Sequence, residues 1–299
     1  MKQELIKSLK KYKWKILIEI ILIVFCVIFI AYPSKLIGKM VDLLYNAEMN
    51  KTEIIKSVIQ LLFVSLVIIV TRIAWKNLDF RINIYIDKDI RDRLFTKLLK
   101  AKVESLNEIK NGEIMSYFVS DLRKVTMTTS KFISTGTRII ANFAVAITMM
   151  SSLCNIKLTV ISLMPVFATI VIIILIRNRM DKSFKLAQKS FTDLSEYVQE
   201  STDSVRTMKA FCGEEKQIEE FEKKNATLKK NNISVSINQN LLFVCVSFGF
   251  GIAYAISLLY GSNLVLKNEI SIGDLIAFNG YLAILEAPVT WIPWLLGRG

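Results

Sequence analysis

Six apolar runs dominate the 299 residues of this chain, at about 16–37, 57–75, 132–154, 158–176, 241–265 and 275–296. Each holds roughly 20 residues, the length of helix that crosses a hydrocarbon core of about 30 Å. Within lipid a backbone must satisfy its own hydrogen bonds, so a run of this kind folds as a helix. Hydrophobic residues make up 53% of the chain, beyond the range of about 45–50% for soluble domains. The expected fold class is an all-α membrane protein with six transmembrane helices.

The charges orient those spans. A basic segment at 1–14 holds Lys2, Lys7, Lys10, Lys11 and Lys13, and about a dozen Lys and Arg lie in each of the connections 76–131 and 177–240. The other three connections are poor, with Lys157 alone in one and Lys267 alone in another. The positive-inside rule then predicts a cytoplasmic N-terminus and two cytoplasmic connections, in the cell membrane. The net charge of +13 is spent beside the spans instead of on a basic domain, so nucleic acid is not an expected partner. The chain has no histidine, and Cys26, Cys154, Cys212 and Cys245 are far apart with no CxxC spacing, so no metal site and no catalytic residue are expected. After the first run comes Tyr32-Pro33-Ser34-Lys35 instead of a small-residue cleavage site, which predicts a retained anchor.

The two basic connections are too regular to be loops. Ile82, Ile86, Ile90, Leu94 and Leu98 form one helical stripe, and Phe184, Ala187, Phe191, Leu194 and Val198 form another. No proline interrupts either arm. At 1.5 Å per residue, helices over 76–102 and 177–205 would reach about 40 Å from the membrane before turning back. Two long helical hairpins with cytoplasmic tips are therefore predicted.

Residues around both tips and the last span carry a family resemblance. Asn111-Gly112-Glu113-Ile114-Met115-Ser116 precedes Val119-Ser120-Asp121 at the first tip. Tyr197-Val198-Gln199-Glu200-Ser201 precedes Val205-Arg206-Thr207-Met208-Lys209-Ala210-Phe211 at the second. Before and within the last span stand Tyr260-Gly261, Ser271-Ile272-Gly273-Asp274, Tyr281 and Pro288, and the first span closes on Tyr32-Pro33, Gly38 and Asp42. In order and spacing these resemble the transmembrane domain of bacterial ABC exporters, of the multidrug, peptide or lipid type, over about residues 12–294. The resemblance implies a half-transporter that pairs with a second transmembrane half. It also implies short coupling helices at the tips, which touch ATP-binding domains and pass their closure to the spans. The first would comprise Ser105, Leu106, Asn107, Glu108, Ile109, Lys110, Asn111 and Gly112, and the second Ser204, Val205, Arg206, Thr207, Met208 and Lys209. Ser204 and Asn268 stand where the family usually has glycine, and Ser105-Leu106 replace a usual aromatic pair.

An ATP site is not visible. The phosphate-cradling loop needs G-x-x-x-x-G-K-[ST], and Gly38-Lys39 fails it with Pro33 upstream and Met40 downstream. Gly249-Phe250-Gly251 has Tyr254 in the third glycine's place and lies in a span, where small residues serve helix packing. ATP and Mg are thus expected on a separate or missing domain, and ATPase chemistry, if coupled to this chain, is performed elsewhere. The end at Gly297-Arg298-Gly299, after a transmembrane domain over 15–296, favours a truncated product over a permease subunit. A non-transporting remnant or regulatory membrane protein is the rival expectation.

Charged residues within spans are costly and mark candidate sites. Arg72 and Arg138 lie near span ends and are expected to snorkel to the interface, as is Glu19, one turn from Lys15. Glu286 lies near the midplane, about 17 Å from the start of the last span. It is either a neutral or hydrogen-bonded group joining helices, or a pathway residue for cationic or polar cargo. Asn279, Tyr281, Trp291 and Trp294 are its candidate neighbours in that pathway.

Overall fold

The computed structural model describes residues 2–46, 51–100 and 115–296. Their regular elements are helical: α1 (Lys2–Lys11), α2 (Lys13–Tyr45), α3 (Lys51–Leu99), α4 (Leu122–Leu153), α5 (Ile156–Asp203), α6 (Val205–Ala210), α7 (Glu214–Leu266) and α8 (Ile272–Leu296). A π-helical turn at Tyr117–Asp121 leads into α4. Six helices are long and apolar enough to cross a membrane, namely α2, α3, α4 with its π-helical turn, α5, α7 and α8. The chain is a multi-pass membrane protein. Two compact units are present, residues 1–162 with 254–299, and residues 163–253.

In the first unit, α8 packs on α2 and α4, and α2 packs on α3 and α4. The stripe Ile82, Ile86 and Ile90 is buried against Leu122, each isoleucine contributing about 1.5–3 kcal/mol by leaving water. Near the C-terminal end of α2 the contact changes character. A Cβ on Gly38 would strike the Gly273 carbonyl oxygen, and one on Gly280 would sit 2.6 Å from Ser34 Oγ. Small residues let the two backbones touch, the usual means of close helix contact in lipid. Asp42 closes this crossing: its carboxylate accepts from Gly273 N–H at 2.7 Å and from the Ser271 hydroxyl at 2.7 Å. Ser271 also caps α8, accepting from Asp274 N–H at 2.9 Å while Asp274 Oδ2 accepts from Ser271 N–H at 3.2 Å.

The basic segment at the start is more than a charged flank. As α1 it packs on α3, with Leu9, Tyr12 and Ile16 against the isoleucine stripe. Lys11 Nζ lies 2.6 Å from Asp89, and that hydrogen bond holds the Lys11 ammonium's pKa above its ordinary value. Arg93 reaches both Asp89, at 2.5 Å, and Ser8 Oγ, at 3.0 Å. Tyr12 stacks on Tyr85, whose ring carries Lys15 at 4.0 Å. Glu19 is buried beside Asp79 instead of reaching the interface, with no hydrogen-bond partner for its Oε1 among the described residues. Pro288 and Pro293 do not interrupt the last span, since α8 runs through both, as α2 runs through Pro33. Neighbouring helices compensate the lost backbone bonds in such settings.

The second unit holds the antiparallel pair of α5 and α7 with α6 between them. Its contact face differs from the predicted stripe. Phe184 and Phe191 are 60% and 56% exposed, and Val198 is exposed too. The residues turned inward are Ser183, Ala187, Ser190, Leu194, Tyr197 and Ser201, spaced four then three as in a coiled-coil seam. Asn238 Nδ2 donates to Ser183 Oγ and Asn231 Nδ2 to Ser190 Oγ, each at 2.7 Å. Gln217 Nε2 donates to Ser201 Oγ, and Tyr197 Oη to the Gln217 carbonyl at 3.0 Å. Beyond these rungs a Cβ on Gly249 would strike Thr169 Oγ1. Small and hydrogen-bonding residues permit a close approach that bulky phenylalanines would prevent, and this outweighs apolar area in setting the face.

Candidate functional site

Two places in the described structure can carry function, the tip between α5 and α7 and a cavity in the first unit. The first tip, Ser105–Gly112, lies outside the described residues, as do residues 297–299.

At the second tip α5 ends at Asp203, Ser204 turns the chain, and α6 takes six residues before α7 begins. Ser204 has φ −95° and ψ 6°, an ordinary conformation, so serine in place of glycine costs no backbone strain. Its hydroxyl donates to the Glu200 carbonyl at 2.7 Å, and its own carbonyl accepts from Met208 N–H at 2.9 Å. After α6 the chain reverses through Cys212 at φ 51°, with Gly213 N–H bonded to Met208 O and Cys212 N–H to Lys209 O. This is the paired closure of a helix C-terminus, with a cysteine where the left-handed residue is normally glycine. Asn268 (φ 56°) closes α7 in the same way, through Glu269 N–H to Leu264 O and Asn268 N–H to Val265 O. Asparagine tolerates that region better than most residues, which accounts for its standing in for glycine. The tip shows Arg206, Lys209 and an 82% exposed Phe211 to its surroundings. Beside it Val198, Val205, Ile218 and Phe221 line an apolar hollow of about 530 Å³. A surface with both apolar and basic groups suits contact with another protein.

The cavity occupies about 400 Å³ between α2, α3, α4 and α8. Arg72, Trp75 and Lys76 of α3, Arg138 and Asn142 of α4, and Trp291 of α8 line it. The Arg138 guanidinium lies 4.0 Å from the Trp291 ring and 5.3 Å from the Trp75 ring. Asn142 Nδ2 donates to the Arg138 carbonyl at 2.7 Å, which fixes the backbone beneath it. The two arginines, each expected to snorkel to the interface, line the same cavity.

The five candidates on the last span do not converge. Trp291 lines the cavity, whereas Tyr281 is wholly buried and its hydroxyl lacks a partner among the described residues. Asn279 is half-buried and donates to the Leu275 carbonyl at 3.0 Å. Glu286 is exposed. The side chain of Trp294 lies outside what the structure describes. The cavity's basic residues were each visible in the sequence, but only the packing of α3, α4 and α8 brings them together. A recognisable signal was Arg72, Trp75 and Lys76 on one helical face at the end of an apolar run.

The family model of the ABC transporter transmembrane region matches residues 16–289. The chain is 26% identical, over 295 residues, to the multidrug resistance-like ATP-binding protein MdlA of Buchnera aphidicola subsp. Baizongia pistaciae, an alignment covering 96% of this chain and 51% of that protein. It is 25% identical over 280 residues to the probable multidrug resistance ABC transporter ATP-binding/permease protein YheI of Bacillus subtilis, with coverage of 94% and 48%. It is 23% identical over 263 residues to MdlA of Escherichia coli, with coverage of 88% and 45%. The chain spans about half the length of these relatives.

Proposed function

Because the chain belongs to the ABC transporter transmembrane family, we propose that it is the membrane-spanning half of an ATP-driven exporter. In this reading it sits in the cell membrane with a cytoplasmic N-terminus and pairs with a second transmembrane half, of its own kind or another. ATP and Mg bind to ATP-binding domains that contact the two tips, the first at 105–112 and the second at 204–209. Closure of those domains moves the tips, and the helices pass the movement to the spans, opening the cargo path to one side and then the other.

The observation that carries this reading is the α5–α7 hairpin. Its helices are locked together by hydrogen-bonded rungs and closed by a short helix that leaves Arg206, Lys209 and the following Phe211 exposed. A stiff arm with an unpartnered end suits a lever. That relatives are named as ATP-binding and ATP-binding/permease proteins supports ATP as the energy source.

The test uses inside-out membrane vesicles from cells making the chain with the ATP-binding half of a relative such as YheI. ATP-dependent accumulation of a fluorescent lipophilic dye is expected. Arg206→Glu with Lys209→Glu at the exposed tip is expected to remove the ATP dependence while leaving the amount of inserted chain unchanged. Single cysteines in a background without the four native ones should be labelled from outside the cell at Asn155 and Lys267. Those at Ser204 and Asn111 should be labelled only after permeabilisation. Labelling of Ser204 in intact cells would overturn the orientation and the lever with it.

A further inference from the structure

We infer that the groove between α2 and α3 holds one phosphatidylethanolamine of the surrounding bilayer as a resident lipid, whose head, ester and tail each meet a different part of the groove. The site shares no lining residue with the basic cavity and does not depend on what the chain carries.

Two hollows adjoin there. The apolar one, of about 630 Å³, is lined by Ile28, Phe29, Ile59, Phe63 and Val64. The charged one, of about 380 Å³, includes Lys35, Lys39, Asp42 and Asp274. Tyr32 and Gln60 line both. Ile28, Ile59 and Phe63 are exposed, so this face is turned to the bilayer.

The order of chemistry along the groove is that of a phospholipid. From the end of α2 inward come Asp42, Lys39, Lys35, Tyr32, Phe29 and Ile28. Ile28 to Asp42 covers about 21 Å of helix. One leaflet with its headgroups is about 20–22 Å thick, half of a bilayer of about 40–45 Å. Gln60 is an exposed amide amid apolar neighbours, and its side chain has no hydrogen-bond partner among the described residues. Such a group is costly against hydrocarbon. At the junction of the two hollows it can donate to an ester carbonyl, as can the Tyr32 hydroxyl. In the orientation proposed above the leaflet is the outer one.

The charges select the head. Lys35 and Lys39, one turn apart and exposed, take part in no salt bridge among the described residues. Asp274 uses Oδ2 for the Ser271 N–H, and its Oδ1 accepts nothing among the described residues. Two cations beside two carboxylates suit a head that carries both signs. Its phosphate meets the lysines, and its primary ammonium donates to Asp274 and Asp42. An anionic head would set its surplus charge against those carboxylates, and a trimethylammonium has no N–H to donate.

The test places the purified full chain in phosphatidylcholine vesicles, with Trp14, Trp75, Trp291 and Trp294 replaced by Phe and Phe63→Trp as reporter. A brominated lipid quenches an indole it touches, so titration gives the preference of the groove. Brominated phosphatidylethanolamine should be preferred about tenfold over brominated phosphatidylcholine, the effect of one charge-assisted hydrogen bond at the low end of its range. Brominated phosphatidylglycerol should do no better than phosphatidylcholine. Asp274→Asn, which keeps an acceptor for Ser271 N–H, should reduce that preference to threefold or less. Lys35→Gln with Lys39→Gln should instead remove a similar preference for phosphatidylethanolamine over brominated diacylglycerol, which has no phosphate. Lys157→Gln with Lys267→Gln, which removes two charges outside the groove, should change neither ratio. Native mass spectrometry of the unsubstituted chain should retain one phosphatidylethanolamine, lost in the Lys35 and Lys39 double variant. Equal quenching by the ethanolamine and choline lipids, or ratios unmoved by the variants, would overturn the site. A preference for phosphatidylglycerol would overturn the head assignment. A reporter that no brominated lipid quenches would show protein covering the groove, and would overturn the lipid as occupant.

Discussion

Replacing Asp42 by alanine should loosen the start of α8, and the structure sets the size of the effect. Asp42 accepts two hydrogen bonds of 2.7 Å, from Gly273 N–H and the Ser271 hydroxyl. A bond to a charged group contributes about 1.5–3 kcal/mol, and a negative charge at a helix N-terminus about 0.3–1 kcal/mol. Asp42 is half-buried, which places each bond at the low end, so the loss should be about 3 kcal/mol. Cys154 makes a convenient reporter. It is 7% exposed, and its thiol points at the Asp274 carbonyl one turn into α8. In a variant keeping only this cysteine, the rate of maleimide labelling follows the population in which α8 has come away. A loss of about 3 kcal/mol predicts labelling about a hundredfold faster in Asp42→Ala, since each 1.4 kcal/mol is about tenfold. Asp42→Asn keeps one acceptor and should fall between, at about tenfold. Ser271→Ala added to Asp42→Ala should cost less than Ser271→Ala alone, because the two share a bond, while the cap of Asp274 N–H is lost in both. Labelling of Asp42→Ala within threefold of the parent would refute the account of this junction.

Three further outcomes follow from the second unit. Cys212→Gly should stabilise the hairpin by about 1 kcal/mol, because glycine adopts the left-handed conformation without the penalty a Cβ brings, and the midpoint of unfolding in SDS micelles should rise. Gly249→Ala should lower that midpoint and Thr169→Ala should restore most of it, the clash being with the threonine side chain; failure of rescue would show that the contact is misassigned. Asn238→Leu should cost about 1–3 kcal/mol by leaving Ser183 unpaired, whereas Phe184→Ser should change stability by under about 0.5 kcal/mol, and the reverse order would restore the apolar stripe as the packing face.

What could be read in the chain before folding differs by length scale. Apolar runs of span length sufficed for six membrane-crossing helices, because lipid leaves a backbone no alternative. The stripe Ile82, Ile86 and Ile90 was equally legible, since its apolar residues are also its buried ones. The second stripe misled for a definite reason. Phe184 and Phe191 sit one place along from Ser183 and Ser190, and hydropathy cannot tell which of two adjacent faces turns inward when the winner is polar. The packing of α1 was hidden in a lysine-rich segment, where Leu9 is the residue that meets the isoleucine stripe. Gly38, Asp42, Ser271 and Gly273 stood out individually, but only the crossing of α2 and α8 explains why all four are needed together. The basic cavity was the least legible, since Arg72, Arg138 and Trp291 meet across hundreds of residues of chain.

The rungs of the α5–α7 hairpin bear on how the chain avoids mistakes while it is being made. Helices that meet through leucines alone can slide past one another by a turn with little change in energy, because one apolar contact replaces another. Asn238 with Ser183, and Asn231 with Ser190, admit no such exchange. A slip of one turn, about 5.4 Å, carries both asparagines away from their hydroxyls at once. Two buried or half-buried amides then lack partners, at about 1–3 kcal/mol each. Sliding by one turn is thereby disfavoured by about 2–6 kcal/mol, which leaves about one alignment in thirty or fewer misplaced. Proofreading of this sort acts during synthesis, when α7 first meets an α5 already in place. The same serines and asparagines that look like weak points in a hydropathy profile thus decide where the second helix stops.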